Sequence, residues 1–241
     1  MYYGSFGAKR PHEALVRLIR MSLDRTTRNP PPETTSRIQF PVAVLFARGD
    51  RGGDGDKLAQ QAVSSFYYWN DDSGDSIDFI YAGWSENQGE LNFDRKDFLA
   101  FRAAFEDMCE WKYSGETDLL ILNFVLEPSD SSGYFAFDEV IELPIEAMLR
   151  EKLIGSLDHL AAQIIVSAKE YSARERHENQ SPVWVISDKL AMRRGKKDLW
   201  DSLLLFVFSD YADKLKGIGH MAVHNFASPG GTLVVELPEQ A

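Results

Sequence analysis

The stretch Asp118-Leu-Leu-Ile-Leu-Asn-Phe-Val-Leu126, then Glu127-Pro-Ser-Asp-Ser-Ser-Gly133, then Tyr134-Phe-Ala-Phe-Asp-Glu-Val-Ile-Glu-Leu143 decides what kind of sheet this chain builds. The first run is almost unbroken apolar sequence, the signature of a strand covered on both faces. The last is rich in aromatic and β-branched residues and also reads as a strand. Only seven residues join them, whereas a parallel crossover needs roughly a dozen or more. The two strands therefore form an antiparallel hairpin, and the sheet that contains them is not purely parallel.

Upstream, strands and helices alternate. Ile38 to Ala47 reads as a buried strand, with Pro41 placed before the fully paired part begins. After the loop Arg48-Gly-Asp-Arg-Gly-Gly-Asp-Gly-Asp56, Leu58, Ala62, Phe66 and Trp69 fall on one side of a single predicted helix that Asn70 to Gly74 ends. Ile77 to Trp84 reads as a second strand. Asp94 and Asp97 are spaced as a capping-box-like pair opening a helix that sends Phe98, Phe101, Phe105 and Met108 inward. Downstream of the hairpin, Pro144 opens one long predicted helix with Leu149, Leu153, Leu157, Leu160, Ile164 and Ala168 on its inner face. After Pro182, Val183 to Ser187 reads as a strand, 198–216 as a helix and Thr232 to Leu237 as a final strand. The expected organisation is an N-terminal segment 1–36, a central α/β domain 37–175, and an extension 176–241 packed on the same domain.

The central order, strand, helix, strand, helix, strand, strand, helix, resembles the thioredoxin-like fold, and the expected class is α/β with a mixed sheet of that kind, the alternative being another three-layer α/β fold. The resemblance is one of element order over residues 37 to 172. That family's functional mark is a Cys-x-x-Cys at the start of the first crossover helix, where the helix N-terminus lowers a thiol pKa. Here Asp50 to Asp56 occupy that place without a cysteine, and Ser114-Gly-Glu-Thr117 stands where the family has a cis-proline. The resemblance therefore implies a redox-inactive member.

Charge is divided unevenly. The 241 residues carry a formal −11, but residues 1–37 hold seven Lys or Arg against three acids, leaving −15 on the remaining 204. Within the basic segment Leu15, Leu18, Ile19 and Leu23 recur at helical spacing behind Pro11, and Asn29-Pro-Pro-Pro32 stops the helix. Such a helix either docks to a partner through Arg17, Arg20 and Arg25 or packs on its own acidic body. A second basic island, Arg193-Arg-Gly-Lys-Lys197, adds Arg193 and Arg194 as partner-facing candidates. A body of −15 repels nucleic acid, so a protein partner or a second copy is the expected associate. The longest apolar run, Leu203 to Phe208, is six residues, far short of the roughly 20 that span a bilayer. With one cysteine in the chain the expected setting is reducing, cytoplasmic and bacterial, without a membrane partner.

The Arg48–Lys57 loop is the most unusual stretch, at the carboxyl end of a strand and the start of a helix, where α/β sheets bind ligands. It fits no phosphate template: Lys57 is followed by Leu58 rather than Ser or Thr, and the third glycine of a dinucleotide fingerprint is Leu58. As a calcium loop it has Gly52 at position three and Gln61 at position twelve. Two carboxylates about 4 Å apart in water repel by only about 1 kcal/mol, so Asp54 and Asp56 coexist without a metal and suit the helix dipole. Two functional readings stay open. One is a non-catalytic component or adaptor acting through protein–protein contacts, with no cofactor. The other is an enzyme in which Asp50, Asp54 and Asp56, with Glu86, hold Mg²⁺ against a nucleotide or phosphorylated substrate. His220 and His224, four apart, lack the Glu that metalloprotease chemistry needs, and Cys109 on the core-facing helix is expected to be a buried thiol.

Overall fold

The computed structural model describes residues 5–8, 10–28, 30, 37–87, 90–109, 111–173, 181–194 and 235–236. In chain order the elements are β1 (Ser5–Ala8), α1 (Pro11–Arg28), β2 (Ile38–Phe46), α2 (Asp54–Ser64), α3 (Phe66–Ser73), β3 (Asp78–Ala82), β4 (Trp84–Asn87), β5 (Glu90–Phe93), α4 (Arg95–Met108), β6 (Asp118–Glu127), β7 (Ser132–Pro144), α5 (Ile145–Arg150), α6 (Leu157–Ala173), α7 (Pro182–Arg194) and β8 (Val235–Glu236). The expected helix over 198–216, the histidines 220 and 224, and most of the C-terminal strand lie outside the described residues.

The main sheet runs β1-β3-β2-β6-β7-β8, with β4 and β5 as a separate hairpin. β1, β3 and β2 are parallel, while β6 is antiparallel to both β2 and β7. The sheet is therefore mixed, and the hairpin read from Asp118 to Leu143 supplies its antiparallel half. Pro41 lies one residue ahead of Val42, where pairing with β3 begins, so its missing N–H costs no β2–β3 hydrogen bond.

Register assigns the two faces. Phe40, Val42, Val44 and Phe46 of β2 pair with Phe124, Leu122, Leu120 and Asp118 of β6 and share one face with them. On that face the Arg25 guanidinium of α1 lies over Phe40, and Phe98, Phe101 and Phe105 of α4 surround Phe46. On the other face Trp69 of α3 packs against Phe79 and Tyr81 of β3, and α6 and α7 complete that layer. The result is three layers, helices over and under a mixed sheet.

The first helix belongs to this core. Leu15, Leu18 and Ile19 are fully buried, and each such side chain contributes roughly 1.5–3 kcal/mol. Arg25, expected to face a partner, is turned inward: its two terminal nitrogens donate to the Asp78 carboxylate of β3 at 2.8 and 2.7 Å, and its Nε donates to Asp75. Arg17 and Arg20 lie on the exposed side of α1.

Four other expectations are corrected. The helix after the glycine loop is two helices, α2 ending at Ser64 and α3 starting at Phe66, and at the junction the Ser64 hydroxyl donates to the Gln60 and Gln61 carbonyls. The strand expected to reach Trp84 stops at Ala82. Gly83, at φ +76°, turns the chain into the β4–β5 hairpin, and a Cβ there would lie 2.4 Å from Phe98 Cβ. The long helix after Pro144 is two helices: Lys152 takes a left-handed φ of 60°, and Ser156 Oγ accepts from His159 N to start α6. Val183 to Ser187 is helical: Pro182 takes the first helical position, which its fixed φ suits, and Val185 N donates to the Ser181 carbonyl. Among the described residues no helix is long and apolar enough to cross a membrane.

Removing Arg25 leaves the fully buried Asp78 charge uncompensated, so Arg25→Ala is expected to lower unfolding free energy by about 3–5 kcal/mol in urea titrations. Replacing both partners with apolar residues, Arg25→Met together with Asp78→Leu, is expected to recover most of that loss. An Arg25→Ala effect within experimental error of zero would remove the pair from the account of how α1 is held.

Candidate functional site

The carboxyl ends of β2 and β3, the start of β6 and the end of β7 meet at one end of the sheet, and the Arg48–Asp56 loop lies across it. Gly52 and Gly53 adopt φ of +75° and +69°, a left-handed pair that side chains disfavour and that lets the loop fold back on the start of α2. Asp56 Oδ1 accepts from Arg51 N at 2.9 Å, closing the loop on itself.

Arg48, Asp50 and Arg51 of the loop are each paired within the molecule. Arg48 Nε donates to Asp50 Oδ1 at 2.9 Å and Arg95 approaches Asp50 Oδ2 at 3.5 Å. The bond from Arg48 holds the Asp50 carboxyl below its ordinary value, so Asp50 stays charged. The Arg51 guanidinium donates both terminal nitrogens to Glu146 of α5, whose Oε1 also accepts from Thr117 Oγ1 at 2.8 Å. That guanidinium sits where a side chain at Gly55 would meet it at 3.1 Å, so glycine at 55 is what lets Arg51 cross the helix start.

Of the four carboxylates expected to hold a metal, the structure gives hydrogen-bond partners for two and chain positions for the other two. Asp50 and Asp56 are engaged with arginine and backbone donors. Asp54 begins α2, and Glu86 lies on β4 opposite Leu91. Among the described residues no three His, Cys, Asp or Glu gather in a way that could hold a metal ion. Of the candidate arginines outside the first helix, Arg193 and Arg194 close α7.

Beneath the loop lies a second group of acids that the residue pattern does not single out. Asp118 and Pro144 are register partners, as are Leu120 and Glu142, so Asp118 and Glu142 are diagonal neighbours on the face that α4 covers. Asp118 is fully buried and accepts from Ser114 N at 2.9 Å and Ser114 Oγ at 2.8 Å. Burial raises its pKa, against those two bonds. Glu142 is half-buried, and burial reinforced by the Asp118 charge pushes it up to about 7. The Trp111 indole N–H opposes the shift without making a well-formed hydrogen bond. Trp111 itself is buried against Phe46 at 4.6 Å between ring centroids, with Tyr113 edge-on to it at 6.3 Å. The Tyr113 hydroxyl is pushed up to about 12 by burial and the nearby Asp118 charge.

Two signals for this group are present in the sequence: an aspartate heading an otherwise apolar strand, and a glutamate inside Val140-Ile-Glu-Leu143. Their proximity depends on the register shift between Leu122 and Asn123, which no spacing rule displays. Cys109, as expected, is buried; its Sγ donates to Phe105 O, and burial pushes the thiol up to about 11, so it is no thiolate near neutrality.

Compared with protein-family models, with curated proteins and with solved structures, the chain has no match.

Because Glu142 titrates higher folded, at about 7, than its ordinary 4.5, the native state binds more protons between those values, and stability is expected to fall as pH rises through that window and level off above it. Glu142→Gln is expected to flatten this stretch of the pH profile and to gain about 1–2 kcal/mol at pH 8, a figure reduced for the exposed part of the side chain. Parallel profiles for the two proteins in chemical denaturation would remove Glu142 as the source.

Proposed function

We propose that this chain is a non-catalytic cytoplasmic protein that works by binding another protein, as a component or adaptor of a larger assembly, on a thioredoxin-like core without redox chemistry. The observation that carries this reading is the state of the loop at the sheet end. Arg48, Asp50, Arg51 and Asp56 are all engaged with partners inside the molecule, which favours a structural role for a loop that stands where an α/β sheet can take a substrate. The support for a thioredoxin-like core is the order β3-β2-β6-β7, with β6 antiparallel to its neighbours and helices on both faces. The single thiol, buried and held in its protonated form, supports the absence of redox chemistry.

The surface offered to a partner is the outward side of α1, where Arg17, Arg20 and Arg28 are exposed beside Glu13 and Asp24, with Arg10 exposed just ahead of the helix. It is a basic stripe on an acidic molecule, and it suits an acidic protein surface. Deleting residues 1–36 does not test this, because α1 is part of the core. Charge reversal does: Arg17→Glu with Arg20→Glu is expected to leave the melting temperature within a few degrees and to abolish retention of the partner in quantitative affinity purification from the native host. An identical set of retained proteins at identical ratios would reject α1 as the docking surface.

The rival reading, Mg²⁺ held through Asp50, Asp54, Asp56 and Glu86 for phosphoryl chemistry, gives the opposite result in a thermal-shift assay. Millimolar Mg²⁺ or Mn²⁺, with and without nucleotide, is expected to leave the melting temperature unchanged. A rise that Asp54→Ala abolishes would favour the enzyme.

A further inference from the structure

We propose that Asp118 and Glu142 form a proton-dependent latch for the segment between α4 and β6: with one proton on the pair, Trp111, Tyr113 and Ser114 are clamped onto the sheet end, and loss of that proton releases them.

The argument is geometric. Three carboxylates, Asp78, Asp118 and Glu142, occupy the α1/α4 face of the sheet. Asp78 has the bidentate guanidinium of Arg25. Among the described residues no Lys or Arg pairs with either of the other two, and each is the other's neighbour across β6 and β7. The cover over them, residues 111–117, is neither helix nor strand and is held by Ser114 to Asp118, Tyr113 N to Glu106 Oε1, Lys112 Nζ to the Glu106 carbonyl, Thr117 Oγ1 to Glu146, Arg150 to Glu116 and Ile145 N to the Thr117 carbonyl. Trp111 Nε1 and the Tyr113 hydroxyl are both buried there without a hydrogen-bond partner. A second negative charge beside this cover meets no cation among the described residues, and lifting of the segment lets water reach the part of the pair that is buried. Segments of low local stability open without global unfolding.

Glu142 faces Asp118 on β6. Among the described residues, the other charged and titratable groups around the pair and its covering segment are Glu106 on α4, Cys109, Lys112, Tyr113 and Glu116, and Glu146 on α5, with Arg102 at Glu106 and Tyr113, Arg150 at Glu116, and Arg48 and Arg51 reaching Tyr113 from the loop. Lys112 is the cation that the segment itself carries, and its ammonium is committed to the Glu106 carbonyl. No histidine is among these groups, and the titration near neutrality falls to the carboxylate pair, at about 7 for Glu142. Release also reaches the glycine loop, because Thr117 and Arg51 share Glu146.

Hydrogen exchange read by mass spectrometry tests the latch, with rates corrected for the intrinsic effect of pH and with β2 amides as the internal reference. Between pH 6 and pH 8 the opening of residues 109–117 is expected to rise about tenfold in the native chain, the size of a shift of about one pKa unit. Glu142→Gln is expected to abolish the rise. Asp118→Asn, which keeps an acceptor for Ser114 while removing the neighbouring charge, is expected to move its midpoint to lower pH, and it serves if the first variant fails to fold. Opening that is independent of pH in the native chain, or a rise unaltered in either folded variant, overturns the proposal.

Discussion

The bidentate pair between Arg25 and Asp78 is the constraint on which the placement of the first layer depends. Asp78 is fully buried at the start of β3, and a carboxylate in that position is tolerable only with a partner that supplies both charge and directed donors. Arg25 provides them from the last two turns of α1, so the helix cannot slide or rotate on the sheet without leaving a buried charge unmatched. Apolar burial of Leu15, Leu18 and Ile19 drives the helix onto the sheet, but that force is non-directional. The ion pair sets where along the sheet the helix stops. In doing so it covers the half of the face around Phe40 and leaves the half around Phe46 to α4.

That constraint explains why the segment charge is a misleading guide to the first helix. Counting +4 in residues 1–37 is correct, yet one of those charges is an internal counterion, and the helix is amphipathic because its apolar side is core. The periodicity of Leu15, Leu18, Ile19 and Leu23 places the element well; periodicity alone says which side is buried but not against what. The α4 helix is legible to its capping residue, since Asp94 Oδ1 accepts from Asp97 N at 2.9 Å, and the β6–β7 hairpin follows from its short connection. The misses share a cause. In Leu149, Leu153, Leu157 and Leu160 a helical spacing continues through Gly155-Ser156, because the core selects apolar residues on either side of a break as well as within one helix. At Gly83 a β-rich run continues through a turn for the same reason. Where local breakers and long-range pattern disagree, the breakers are the better indicator.

The site is less legible than the fold. The glycine loop stands out for its aspartates, but its partners Glu146 and Arg95 come from distant parts of the chain, Glu146 being 95 residues from Arg51, with nothing in local composition to announce them. The Asp118–Glu142 pair is harder still. It exists because two strands meet in one register out of several, and a one-residue slip would send Glu142 to the other face.

The three carboxylates on the α1/α4 face separate two physical roles for buried acid. Asp78, with a guanidinium matched to both oxygens, acts as a rigid anchor. Asp118 has the hydroxyl and amide donors of Ser114, Glu142 lies half-buried beside it, and with no cation among the described residues to pair with either, a second charge draws in water. Adding a cation there would make this end of the sheet as fixed as the other. Without one, the segment that carries Trp111 depends on a proton, at a place where residues 111–117 are neither helix nor strand. The same face is therefore fastened near β3 and conditional near β7, and the glycine loop is tied through Glu146 to the conditional end.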